Sequence, residues 1–203
     1  PLFENAYRIY DALKGTLSRL GFPEPAEQED HDGREIDLAV LGLHRDASSF
    51  LSELEKVRPE ILKKTVVVDF NVAIHERVRE LGVEVSYGDI SNEETLIHAG
   101  VDRARIILCA IPDDLLRGIN NRELVRTLRW LNPKAVIISN AIELQERDEV
   151  RAAGANIVYM PRIEVAHSLT QAIRHTLEDN IDEYVSHQDK AFQELHTRSE
   201  ALN

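Results

Sequence analysis

The strongest constraint on the fold is a set of short runs in which every position, not every second one, is apolar. Val66-Val67-Val68 and Val136-Ile137-Ile138 are clear cases, and Ile106-Ile107-Leu108-Cys109-Ala110-Ile111 is longer still. A strand with one wet face alternates apolar and polar residues. A strand covered on both faces does not, which is the pattern of a parallel sheet sandwiched between helices. These belong to a series of short apolar, strand-like runs at 36–42, 65–70, 83–86, 105–111, 135–139 and 156–159, which alternate with segments of helical periodicity. Because parallel crossovers are right-handed, this order predicts an α/β fold built on a doubly wound, six-stranded parallel sheet.

The segments on either side are of another kind. Residues 1–22 carry Phe3, Ala6, Tyr7, Ile9, Tyr10, Leu13, Leu17 and Leu20 at spacings of three and four, which predicts an amphipathic linker helix. Pro23 and Pro25 end it, and an acidic linker fills 23–35. The α/β domain then occupies 36–161, and 162–203 reads as a long C-terminal helix with an acidic tail. In that helix Val165, Leu169, Ile173, Leu177, Ile181 and Val185 lie four apart. Each such step advances about 40° beyond a full turn, so the stripe winds and one flat surface cannot bury all of it. Either residues 165–177 pack on the sheet, or the helix crosses onto a partner subunit.

Composition excludes several classes. A net charge of −12 argues against a broad basic footprint for nucleic acid or anionic lipid. The single cysteine, Cys109, lies inside an apolar run, so there is neither a disulfide framework nor a paired-thiol metal site, and a reducing, cytoplasmic setting is expected. No stretch reaches the roughly 20 apolar residues of a membrane span, so the chain as given is expected to be soluble. It begins at Pro1, and its one methionine is Met160, from which it is expected to be a piece of a longer protein.

The first apolar run passes directly into Gly42-Leu43-His44-Arg45-Asp46-Ala47-Ser48-Ser49, where a Rossmann-like fold places its glycine-rich phosphate turn. Gly42 permits the tight turn and Ala47 allows the helix to pack on the strand. His44 replaces the middle glycine, which normally lets backbone amides approach a diphosphate. One phosphate could still sit at the helix N-terminus with Arg45 as a donor, or the segment is an ordinary strand-to-helix turn. Asp69 ends the second run, about twenty residues on, where a carboxylate accepts from ribose hydroxyls and disfavours a 2′-phosphate. It could also cap the helix over residues 71–81. Tyr87-Gly88-Asp89-Ile90 makes a turn after the third run, and Ala110-Ile111-Pro112-Asp113-Asp114 closes the fourth. Asp113 and Asp114 either meet a ligand or begin the next helix.

Taken together, Gly42, Asp69, Gly88-Asp89, Ala99-Gly100-Val101-Asp102-Arg103-Ala104-Arg105 and Ala110-Ile111-Pro112-Asp113-Asp114 resemble a KTN domain, also called RCK_N or TrkA-N, over residues 36–175. Leu131-Asn132-Pro133-Lys134 and Arg151-Ala152-Ala153-Gly154-Ala155 agree with it. The glycine turn and Val68-Asp69-Phe70-Asn71 are most similar to those of Kef-type monovalent cation:proton antiporters. The resemblance implies a homodimeric regulatory domain at the cytoplasmic face of the inner membrane, attached to the transmembrane antiporter domain of the same polypeptide. It implies a nucleotide ligand that biases a potassium or other monovalent cation gate, with glutathione or its adducts acting in some members. By position, Gly42, His44, Arg45 and Ala47 fall at the phosphate end and Asp69 at the ribose. Phe70, Asn71, Gly88, Asp89 and Ile90 fall around the base, and Ala110, Ile111 and Pro112 on the remaining wall. His44 makes AMP the expected ligand, with NAD or NADH the alternative.

No catalytic residue is expected. Tyr10 and Lys14 have the spacing of a short-chain dehydrogenase pair but precede the glycine turn, and no nucleophile elbow, zinc-binding helix or lysine phosphate loop occurs. An NAD(H)-binding redox sensor and a dimerisation module without ligand are the rival readings. The eight histidines are scattered and most are expected at the surface, and Trp130 is expected to pack.

Overall fold

In a computed structural model, residues 35–178 and 180–195 are described. The expected helix over residues 1–22, nearly all of the acidic linker and the last eight residues of the tail lie outside them. Six strands form one all-parallel sheet: β1 (Leu38–Leu41), β2 (Thr65–Asp69), β3 (Glu84–Tyr87), β4 (Ile106–Cys109), β5 (Val136–Asn140) and β6 (Ile157–Tyr159). Their order is β3-β2-β1-β4-β5-β6, the doubly wound Rossmann arrangement that the apolar runs predict.

The unbroken apolar runs follow from covering both faces. Along β1, Leu38 and Val40 enter one core, and Ala39 and Leu41 enter the other. Val66 and Val68 of β2 point to one side and Val67 to the other. One core lies beneath α1 (Arg45–Val57), α2 (Pro59–Leu62) and α3 (Val72–Glu80). The opposite core lies beneath α4 (Glu93–His98), α5 (Asn121–Leu131) and α6 (Leu144–Ala153). Asparagines start three of these helices: Asn71, Asn92 and Asn120 each accept from a backbone amide two or three residues on.

Two consequences of this winding matter for function. The chain leaves β1 toward β3 and returns to β4, so the sheet has its switch point between the ends of β1 and β4. On the α1 side, no described helix is centred on β4 to β6. There Phe50, Leu54, Ile106, Leu108, Ile138 and Tyr159 line an apolar groove of about 480 Å3.

The C-terminal helix divides in two, α7 (Pro161–Leu177) and α8 (Ile181–Leu195), with Asn180 at the break. His175 stacks on Tyr184 at 4.9 Å, and its Nδ1 lies 2.9 Å from Asn180 Oδ1, which joins the two helices. None of α7 is buried; Val165, Leu169, Ile173 and Leu177 are 58–80% exposed. Packing of residues 165–177 on the chain's own sheet is therefore overturned. One further expectation, for Trp130, is corrected, and among the described histidines His75 departs from the surface. Trp130 is 71% exposed, because it lies about 200° around α5 from buried Leu128. His75 is buried: its Nε2 lies 3.2 Å from the Asp69 carbonyl, an acceptor, and its ring meets Tyr87 edge-on.

Candidate functional site

A cavity of about 210 Å3 opens at the switch point. Gly42 forms its floor at the end of β1. Asp69, Phe70, Asp89 and Ile90 come from the ends of β2 and β3, and Ile111 from the end of β4. Open α/β sheets bind ligands at this position, outside the carboxyl ends of the strands. Gly42 is required twice over. Its φ of 74° lies in the left-handed region, and a Cβ there would overlap the Ile111 side chain. Gly88 is likewise set by close approach, since a Cβ would overlap Thr95 of α4.

Asp69 is 5% exposed, and both its carboxylate oxygens are engaged with backbone. Oδ2 accepts from Leu43 N at 2.6 Å, and Oδ1 accepts from Asn71 N at 2.7 Å. One side chain thus ties the glycine turn of β1 to the end of β2. The α3 helix is capped instead by Asn71, whose Oδ1 accepts from Ala73 N at 3.1 Å. Asp89 is exposed and shapes its own turn by accepting from Ser91 N at 2.9 Å.

At the start of α1, His44 occupies the N-cap position, and its side chain makes no capping bond. Its Nδ1 is buried without a hydrogen-bond partner, in the place of the missing glycine. Arg45 is exposed beside it. Ala47, fully buried, packs α1 onto the sheet as the sequence suggested.

The structure gathers Gly42, Asp69, Phe70, Asp89, Ile90 and Ile111 around the cavity. His44, Arg45 and Asn71 stand at neighbouring turns. Ala110 is turned into the α1-side core and lines the apolar groove, away from the cavity. Pro112 precedes a single 3-10 turn, Asp113–Leu115. Asp113 serves the following helix: its Oδ1 accepts from Asn121 N at 2.8 Å and from Asn121 Nδ2 at 2.6 Å. Sequence reasoning missed the far wall, made by Leu115, Leu116, Arg117 and Ile119. A guanidine in a glycine-containing loop between an acidic pair and a helix cap was the available signal.

Cys109 lies beneath the site, 1% exposed, and burial pushes its thiol up from 9.0 to about 12. It is a packing residue, since the thiolate is the reactive form. Burial first, then the Asp46 carboxylate, pushes the Tyr159 phenol in the groove up to about 12. Among the described residues, no cluster of His, Cys, Asp and Glu could hold a metal ion. No described helix is long and apolar enough to cross a membrane.

The strand order, the glycine turn, the carboxylate after β2 and a cavity at the switch point define a Rossmann-like domain. The TrkA-N domain model matches residues 38–161, and the chain belongs to that family. The KTN resemblance read from the sequence is thereby borne out. The chain is 33% identical over 115 residues to the glutathione-regulated potassium-efflux system protein KefC of Salmonella arizonae, covering 57% of this chain and 17% of KefC. It thus spans less than a fifth of that relative. The TrkA-N domain of inner membrane protein YbaL from Escherichia coli superposes with a TM-score of 0.59 at 26% identity, covering 69% of this chain and 97% of that one. The GsuK channel bound to NAD gives a TM-score of 0.54 at 26% identity, over 72% of this chain and 25% of the channel.

Proposed function

We propose that this chain is the nucleotide-binding regulatory domain of a Kef-type cation:proton antiporter, held at the cytoplasmic face of the membrane, where ligand occupancy biases a potassium or other monovalent cation gate. The carrying observation is the cavity at the β1/β4 switch point, with Gly42 at its floor and Asp69 and Asp89 on one wall. Similarity to a glutathione-regulated potassium-efflux protein and to the TrkA-N domain of an inner membrane protein supports the attachment. The TrkA-N match and the KefC relative support a regulatory rather than a catalytic role.

AMP is the ligand that fits best. The cavity, at about 210 Å3, falls below the range of roughly 300–1,000 Å3 common for ligand pockets, which favours a mononucleotide. His44 stands where a diphosphate needs bare backbone. NAD(H) is the second reading, favoured by the NAD-bound GsuK relative. The KefC name raises glutathione, but exchange at Cys109 is disfavoured by its raised, buried thiol.

The proposed unit is a homodimer. Both halves of an interface are present on one chain: an apolar stripe on α7 and an apolar groove on β4 to β6, neither of them covered among the described residues. A ligand shifts a gate only by its difference in affinity between two states, and a dimer of such domains supplies two arrangements to choose between. Isothermal titration of the chain with AMP, NAD+, NADH and ATP tests the ligand reading. AMP is expected to bind most tightly; no heat from any of the four would overturn the sensor, and tighter NAD+ binding would replace AMP.

A further inference from the structure

Among the described residues that line the cavity, one is a cation. Arg117 lines the wall opposite Asp69 and Asp89, in the loop between the 3-10 turn Asp113–Leu115 and α5. Its backbone is held on both sides. Leu116 and Ile119 pack against the core, and Leu116 N donates to the Asp113 carbonyl. The loop's first residues are fixed by Asn121 and Asn140, whose Nδ2 groups each donate to the Ile111 carbonyl at 2.9 Å. Its guanidinium, by contrast, has no carboxylate within ion-pair distance and no hydrogen bond among the described residues. Arg105, Arg122 and Arg129 all have such partners.

We infer that Arg117 is the phosphate-binding residue of the site, and that it sets the preference for a nucleotide over a nucleoside; this rests on the nucleotide reading above. A guanidinium offers five donors and no acceptor. The ribose hydroxyls and an exocyclic amine are donors that suit the carboxylates of Asp69 and Asp89. The phosphate offers only acceptors and carries the charge that those carboxylates repel. It therefore lies toward Gly42 and the opposite wall, where Arg117 can take two of its oxygens at once. Arg45 lines no part of the cavity, so a neighbouring arginine does not duplicate this contact.

The test titrates the parent chain, Arg117→Ala and Arg117→Lys with AMP and with adenosine, each variant's melting curve being recorded without ligand. Loss of a charge-assisted pair predicts that Arg117→Ala weakens AMP by about tenfold to a hundredfold, with adenosine affinity and melting midpoint unchanged. Arg117→Lys, which keeps the charge but not the fork, should fall between. Arg117→Ala binding AMP like the parent would overturn the assignment while leaving the nucleotide site standing. Equal losses for AMP and adenosine would overturn it too, in favour of stacking on the base or of loop support. A parent that binds neither compound removes both this inference and the function it rests on.

Discussion

Asp69 shows how one residue can serve fold and site together. A carboxylate after the second strand reads as a ribose acceptor from spacing alone, yet both its oxygens already accept backbone amides, those of Leu43 and Asn71. Each oxygen has a further lone pair, so ribose contact and bracing are compatible. Bracing adds a cost to substitution that sequence reading does not foresee. Asp69→Asn turns an amide NH2 toward one of two backbone donors, leaving that donor unpaired in a buried place. The expected loss is about 1–3 kcal/mol of stability in the ligand-free chain. Urea unfolding without nucleotide measures it, and a midpoint equal to the parent's would show that the two short bonds contribute nothing. The bond to Leu43 spans 26 residues of sequence, so only the register of β1 against β2 reveals it.

At the scale of elements, the sheet was legible and the helices after it were not. Strands written as Val66-Val67-Val68 announce a doubly covered sheet because each residue must find apolar company on one face or the other. The α7 stripe carries the same signal without naming its partner, since periodicity tells which face is apolar but not what covers it. The loop bearing Arg117 has no period at all. Arg129 was equally silent in the sequence, although it joins three elements. Its guanidinium donates to the carbonyls of Asn132, Pro133, Ala135 and Gly154 and to Asn156 Oδ1, tying the end of α5 to the loops that start β5 and β6. Arg129→Ala leaves these acceptors to water or unpaired, and its stem no longer covers Gly154. A loss of about 2–4 kcal/mol is expected by analogy with other broken networks of charged hydrogen bonds. Hydrogen exchange should locate the weakening in β5 and β6, while β1 to β3 keep their protection. Uniform loss across the sheet would mean that Arg129 does not act through these local ties.

For the molecule as a whole, the α1-side face of β4 to β6 is the part of the sheet that no described helix covers. A monomer would expose Val136 and Ile157 of β5 and β6, 40% and 51% accessible, beside the groove, and would also expose the whole α7 stripe. Contiguous apolar surface of this kind marks an interface. A second copy answers both exposures at once, because α7 leaves β6 at the edge of the uncovered face and carries the residues that face lacks. Such an arrangement is closed and two-fold, so it stops at two chains. Leu169→Glu combined with Ile173→Glu would put two charges into that contact without touching a residue buried in the single chain. Sedimentation velocity is expected to show a parent dimer and a variant monomer. AMP should still bind the variant, since no cavity residue lies on α7. A variant that remains dimeric would move the interface elsewhere, and a parent that sediments as a monomer would leave the groove and the stripe without each other.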